Sequence, residues 1–149
     1  VRIERAAERV SLEPGERAEH EARSEWTRRN EAQFRTADVP PVPATKPFYR
    51  GLYPGERGRV WVHRYVKAEK IDTPSAEPDL SRPPPITWRE PTVYDVFESD
   101  GTYLGEVRAP PRTSLQVFRE GTVWGIRRGE LDEQYLIRAV VTDSTAGAD

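Results

Sequence analysis

Apolar residues are unevenly spread along the chain. The first 45 residues hold few, whereas Phe48–Tyr65 and Thr92–Val141 are dense in Val, Leu, Ile and aromatics, so the fold is expected in those two blocks. Ahead of them, residues 1–37 read as a charged helical arm. Ile3, Ala6, Ala7 and Val10 recur at spacings of three and four, which predicts a helix over Arg2–Val10. Ser11 is a candidate N-cap and Pro14–Gly15 a break. A second helix is predicted from Glu16 to Arg35, with Ala18, Ala22 and Trp26 on one line. Glu19–Arg23, Glu25–Arg29 and Glu31–Arg35 are spaced as i,i+4 ion pairs in the favourable order, each worth about 0.2–0.5 kcal/mol. So polar an arm buries little surface alone. It is expected either to be solvated or to dock on a body or a partner through Trp26 and Phe34.

Residues 38–47, proline-rich from Val39 onward, read as an extended linker. Strands follow. Phe48–Tyr53 and Val60–Val66 flank a Pro-Gly-Glu-Arg-Gly turn at 54–58, the pattern of a hairpin with a longer loop. Residues 67–91, with Pro83-Pro84-Pro85, form a polar insertion to which no regular structure is assigned. Trp88 lies inside it with no evident core role, which makes it a third candidate interface anchor beside Trp26 and Phe34. Thr92–Glu98 and Tyr103–Arg108 flank Ser99-Asp100-Gly101-Thr102. Asp-Gly between alternating apolar runs is a strong hairpin signal, because a type I′ turn needs positive φ at both central residues. Further strands are predicted at Ser114–Arg119, Thr122–Arg128 and Gln134–Val141, before a small polar tail over 142–149.

One internal similarity stands out. Gly58-Arg-Val-Trp-Val-His-Arg64 and Gly121-Thr-Val-Trp-Gly-Ile-Arg127 share Gly, Val, Trp and Arg at identical offsets. Leu52 and Leu115 each precede the glycine by six residues, and aromatic-led strands follow at Tyr94-Asp-Val-Phe97 and Tyr135-Leu-Ile-Arg138. Meandering four-stranded units repeated along a chain are the mark of a β-propeller. On this pattern the fold is mainly β, with the unit strand, tight turn, Gly-x-Val-Trp strand, connection and strand. The glycine would allow the turn, and the tryptophan would fill the wedge between adjacent sheets.

These stretches, together with Tyr94-Asp-Val-Phe-Glu-Ser-Asp-Gly-Thr-Tyr-Leu-Gly-Glu-Val107, Pro110 and Arg128-Gly-Glu-Leu-Asp-Glu133, resemble the C-terminal part of bacterial six-bladed β-propellers, TolB-like and NHL-like in fold. The resemblance spans about residues 40–141 and departs at Pro54–Arg57 and in the 67–91 insertion. It implies about one and a half antiparallel blades behind a helical arm, the first over Phe48–Arg108 and the second over Ser114–Val141 without its fourth strand, with the remaining blades of a parent chain as partners. It also implies an extracytoplasmic setting, and it supplies no catalytic residue to carry over. The absence of Met, position 1 included, leads us to expect a truncated or processed chain.

Composition narrows the chemistry. Charged residues make up 32% and the net charge is −2, with Glu and Arg interleaved, so there is no basic stripe for nucleic acid. Cysteine is absent, which removes disulfides and thiolate chemistry. No apolar run approaches the ~18 residues of a membrane span. His20 and His63 are the sole histidines, too few for a histidine-rich metal site. A triad of His63, Asp95 and a serine lacks any supporting motif, and Asp79, Asp95, Asp100 and Asp143 do not follow the calcium-loop pattern. Asp132–Glu133 reads as a solvated turn. Neither a cofactor nor a metal ligand set is expected. Three functions remain: a non-catalytic propeller scaffold for an unknown protein or small ligand, a propeller hydrolase or lyase with its catalytic residues in other blades, and a stand-alone interaction protein that docks through its arm.

Overall fold

The computed structural model describes residues 4–31, 40–72, 81–119 and 121–142. Phe34, Asp79, Asp143, the expected helix end at Arg35 and the tail beyond Thr142 lie outside them. Among the described residues, the chain divides into two compact units. One comprises 4–7, 49–64, 92–119 and 121–142, the other 8–31, 40–48, 65–72 and 81–91.

The first unit contains two antiparallel sheets. Strands β1 (Tyr49–Pro54), β2 (Val60–Arg64), β5 (Val93–Phe97) and β6 (Tyr103–Arg108) form a four-stranded meander in the order β1-β2-β5-β6. Strands β7 (Thr113–Arg119), β8 (Thr122–Arg128) and β9 (Gln134–Val140) form a three-stranded meander in chain order. The period-two alternation that predicted these strands is the one that lets each sheet bury a face. The repeat glycines meet the same need: Gly58 has φ 76° and Gly121 φ 61°, a region that residues with a Cβ seldom enter. The 98–102 turn differs from the expected type I′, since only Gly101 has positive φ there. Gly101 N–H donates to Glu98 O at 2.9 Å and Glu98 N–H to Thr102 O at 2.8 Å, a three-residue loop closed by a glycine bulge.

Side-chain direction follows from the ladders. Trp61 pairs with Val96 and His63 with Tyr94, so these four share one face of the first sheet. Val123 pairs with Phe118 and Gly125 with Leu115, on one face of the second sheet. Trp61, Tyr94, Val96, Leu115, Phe118 and Val123 form a single buried cluster, so these two faces are packed on each other. The Phe118 ring is the hub, with centroids 4.7 Å from Trp61 and 5.4 Å from Tyr94. Trp124 lies on the other face of its sheet, opposite Arg138, with Ile126 opposite Leu136. Corresponding positions of the repeat therefore face the same way. Trp61 is covered by the following sheet, whereas Val117, Ile126, Leu136 and Val140 beside Trp124 are exposed. The aromatic match after the repeat is out by one residue: Tyr94 pairs with His63, but the residue paired with Ile126, the counterpart of His63, is Leu136 rather than Tyr135.

All of β5 is buried, including Asp95 on the face opposite His63. That placement rules out a His63–Asp95 dyad. Asp95 instead accepts from Arg5, whose guanidinium also lies 4.1 Å from the Tyr103 ring centroid, and Arg64 Nε stands 3.3 Å from its Oδ1. The hydrogen bond to Asp95 raises the Arg5 pKa further, which keeps the guanidinium charged.

The expected helix over Arg2–Val10 is absent from the described residues. Residues 4–10 are irregular, Ser11 bridges Thr45, and Lys46 N–H donates to Val10 O at 2.8 Å. A helix that short is marginal in water, and pairing with 44–46 satisfies the backbone instead. Pro14 is the first helical residue rather than a break: α1 runs Pro14–Asn30, with Glu13 as N-cap and Glu16 completing a capping box. Glu25 pairs with Arg29 at 2.6 Å, as its spacing predicted, and with Arg28. Glu19 and Arg23 do not pair with each other. Glu19 accepts from Thr87 N–H and Oγ1 at 2.6 and 2.8 Å, and Arg23 donates to Pro84 O. Residues 67–91 are not wholly irregular, since β3 (Glu69–Lys70) and β4 (Trp88–Arg89) form a short antiparallel ladder. At the centre of the second unit Lys46 is buried against Glu16 and Glu90, and also donates to Val66 O at 3.0 Å.

Candidate ligand-binding cleft

In the first unit, residues of both sheets and of their turns line a cleft of about 930 Å³. That is within the range of roughly 300–1,000 Å³ typical of small-molecule sites. Its floor is the apolar layer itself: Trp61, Val96, Leu115, Phe118 and Val123. Its rim carries Arg57, Arg59, Arg108 and Arg119 with Glu56 and Glu106, an excess of positive charge.

The sequence places these rim groups through two turns and one edge strand. Arg57 is held at φ 56° in the short 3-10 turn Glu56–Gly58 between β1 and β2. Arg119 ends β7 and donates to Glu56 Oε1 at 2.9 Å, which ties the two turns together. Arg59 is anchored by Glu98 at 2.6 Å, and Arg108 by Glu106 at 2.8 Å. Burial opposes charge on Glu106, but Arg108 and Arg64 outweigh it and hold its carboxyl below the usual range. In the core layer behind Trp61 and Phe118, burial pushes the Tyr94 hydroxyl up to about 12. Both groups therefore keep one protonation state around neutrality. An apolar floor under fixed charges is suited to holding a ligand with an apolar body and an anionic end, and neither group is poised to shuttle protons.

The residues singled out from the sequence lie elsewhere. Trp26 is half-buried on α1. Trp88 is half-buried on β4, with its ring so close to Gly15 that a Cβ there would fall 2.8 Å from Cζ2. The insertion tryptophan thus has a packing role against the helix start. The cleft arginines were hidden by the even mixture of Arg and Glu along the chain; the Arg57–Gly58 turn and its repeat partner near Gly121 were the available signal. Among the described residues no group of His, Asp and Glu side chains is arranged to hold a metal. No helix among them is long and apolar enough to cross a membrane. Neither a family model, a curated protein nor a solved structure matches the chain.

Proposed function

We propose that the chain is a non-catalytic binding scaffold whose two sheets are successive blades of a β-propeller, TolB-like or NHL-like in kind. The supporting observation is the common orientation of the repeat. Trp61 and Trp124 lie on corresponding faces, and the first is covered by the next sheet. Rotational repetition, the principle of a propeller, produces that relation. A two-fold sandwich would turn both tryptophans inward. The binding work falls to the cleft between the sheets, with its apolar floor and arginine-rich rim.

The test is a tandem chain in which a second copy of residues 48–142 follows Asp149. The protein has no cysteine, so Ile126→Cys in either copy gives a unique thiol. In a ring-like stack the first copy's thiol is covered, and maleimide labels it at least tenfold more slowly than the second copy's. Equal labelling rates in a tandem chain with unchanged circular dichroism per residue would end the propeller assignment. The cleft is tested separately with an anilinonaphthalene sulfonate dye, whose binding should weaken severalfold in Arg57→Glu and Arg108→Glu.

A further inference from the structure

Among the described residues, the second sheet ends in an open edge at β9 whose backbone and side-chain requirements are both legible. Gly129 N–H donates to Glu133 O at 2.9 Å and Val141 N–H to Gly121 O at 3.0 Å, with an unbroken register between them. In an antiparallel ladder the residues that exchange bonds alternate. The odd-numbered residues of β9 therefore bond to β8. Gln134, Leu136, Arg138 and Val140 aim their N–H and C=O groups at the free edge.

The repeat says what belongs there. In the first sheet the strand after β5 is β6, and Asp95 of β5 is paired with Glu106 of β6. Glu106 is an ion-pair partner of Arg64. Arg64 corresponds to Arg127 in the repeat, and Asp95 to Ile137, since Val62 pairs with Asp95 as Gly125 does with Ile137. Arg127 is exposed and has no ion-pair partner among the described residues. It lines a recess of about 460 Å³ with Tyr135 and Ile137, where an incoming side chain has room. Glu130 and Glu133 line the same recess. Glu133 is already engaged, accepting from Tyr135 Oη at 3.1 Å and Leu131 N–H at 2.9 Å.

We infer that the β9 edge is a docking site for an extended segment of another protein. The segment adds as an antiparallel strand and sets a carboxylate opposite Ile137, against Arg127. Main-chain bonds to the even-numbered residues hold the strand, and Arg127 fixes its register and selects for acid. The inference rests on the same repeat as the scaffold reading, but not on a closed ring. A second copy of this chain is the less suitable occupant, because pairing β9 with itself about its midpoint sets Ile137 opposite Ile137 and leaves Arg127 unanswered.

The probe is a fluorescent peptide copying residues 101–110, which carries the equivalent of Glu106, titrated into the full chain. It should bind, and changing its Glu to Lys should weaken binding at least tenfold. Arg127→Glu should reverse that preference. Leu136→Pro removes one outward N–H while sparing the β8 ladder, so it should abolish binding with circular dichroism unchanged. Absence of binding to the wild-type chain, or binding indifferent to both charge swaps, overturns the proposal. Peptide binding that survives a failed tandem-chain labelling test would leave strand addition standing and remove only the propeller.

Discussion

Lys46 Nζ lies 2.6 Å from Glu16 Oε1, and the two side chains are only 4% and 5% exposed. Glu90 and the Val66 carbonyl complete the ammonium's shell. Removing one partner of a buried pair strands the other charge, which typically costs ~3–5 kcal/mol. Lys46→Ala is therefore expected to destabilise the chain by about that much in urea unfolding. A loss of the few tenths expected of a surface pair would contradict the burial.

The two repeat tryptophans should respond differently. Trp61→Ala opens the shared apolar layer beneath Phe118 and is expected to cost ~3–5 kcal/mol. Trp124→Ala, on the uncovered face, is expected to cost less than half as much in the same unfolding experiment. Equal losses would mean that Trp124 is also part of a packed interior.

Gly125 is required by space rather than by backbone angle. A Cβ built there falls 2.5 Å from Ser114 O and 3.1 Å from Leu115 Cα, both backbone atoms that cannot swing aside. Gly125→Ala is expected to cost ~1–3 kcal/mol as an overpacked site, seen as a lower urea midpoint with an unchanged slope.

Alkali should act on Tyr94. Burial raises its hydroxyl from 10.0 to about 12, so the folded state keeps a proton that the unfolded state loses first. The resulting stabilisation is complete below pH 10 and disappears as pH rises from 10 towards 12. Tyrosinate absorbance should show a late-titrating group, and Tyr94→Phe should remove it. Tyr103, also raised by burial and by Asp95, should remain late in that variant.

The strands were legible because their alternation and glycine turns are local. Predicted Thr122–Arg128 is β8 itself, and Gln134–Val141 differs from β9 by one residue. The helix start was not legible because Pro14 is compatible with either a break or a first helical turn, and only the Glu13–Glu16 capping box decides between them. The β3–β4 ladder left no pattern, being two residues long on each side. The roles of Lys46, Glu16 and Glu90 were invisible for another reason: three charged residues distant in sequence look solvated until the chain is closed around them. The same holds for Asp95. The mismatch at Tyr135 arises because pairing across β8 and β9, not residue type, sets the register.

One connection has a bearing on how the chain assembles. Every hairpin within the two sheets of the first unit joins neighbouring strands through a short turn, except the junction of β2 with β5, where Arg64 meets Val93 across the whole of segment 65–91. Bringing distant strands together is slow because loop closure comes before any contact rewards it. The hairpins β5–β6 and β7–β8–β9 are thus free to form early, while the central strand of the first sheet waits for its neighbour. During that interval the residues that end up most hidden, Val93 to Phe97, stand open on one side, and newly made protein is at its most adhesive.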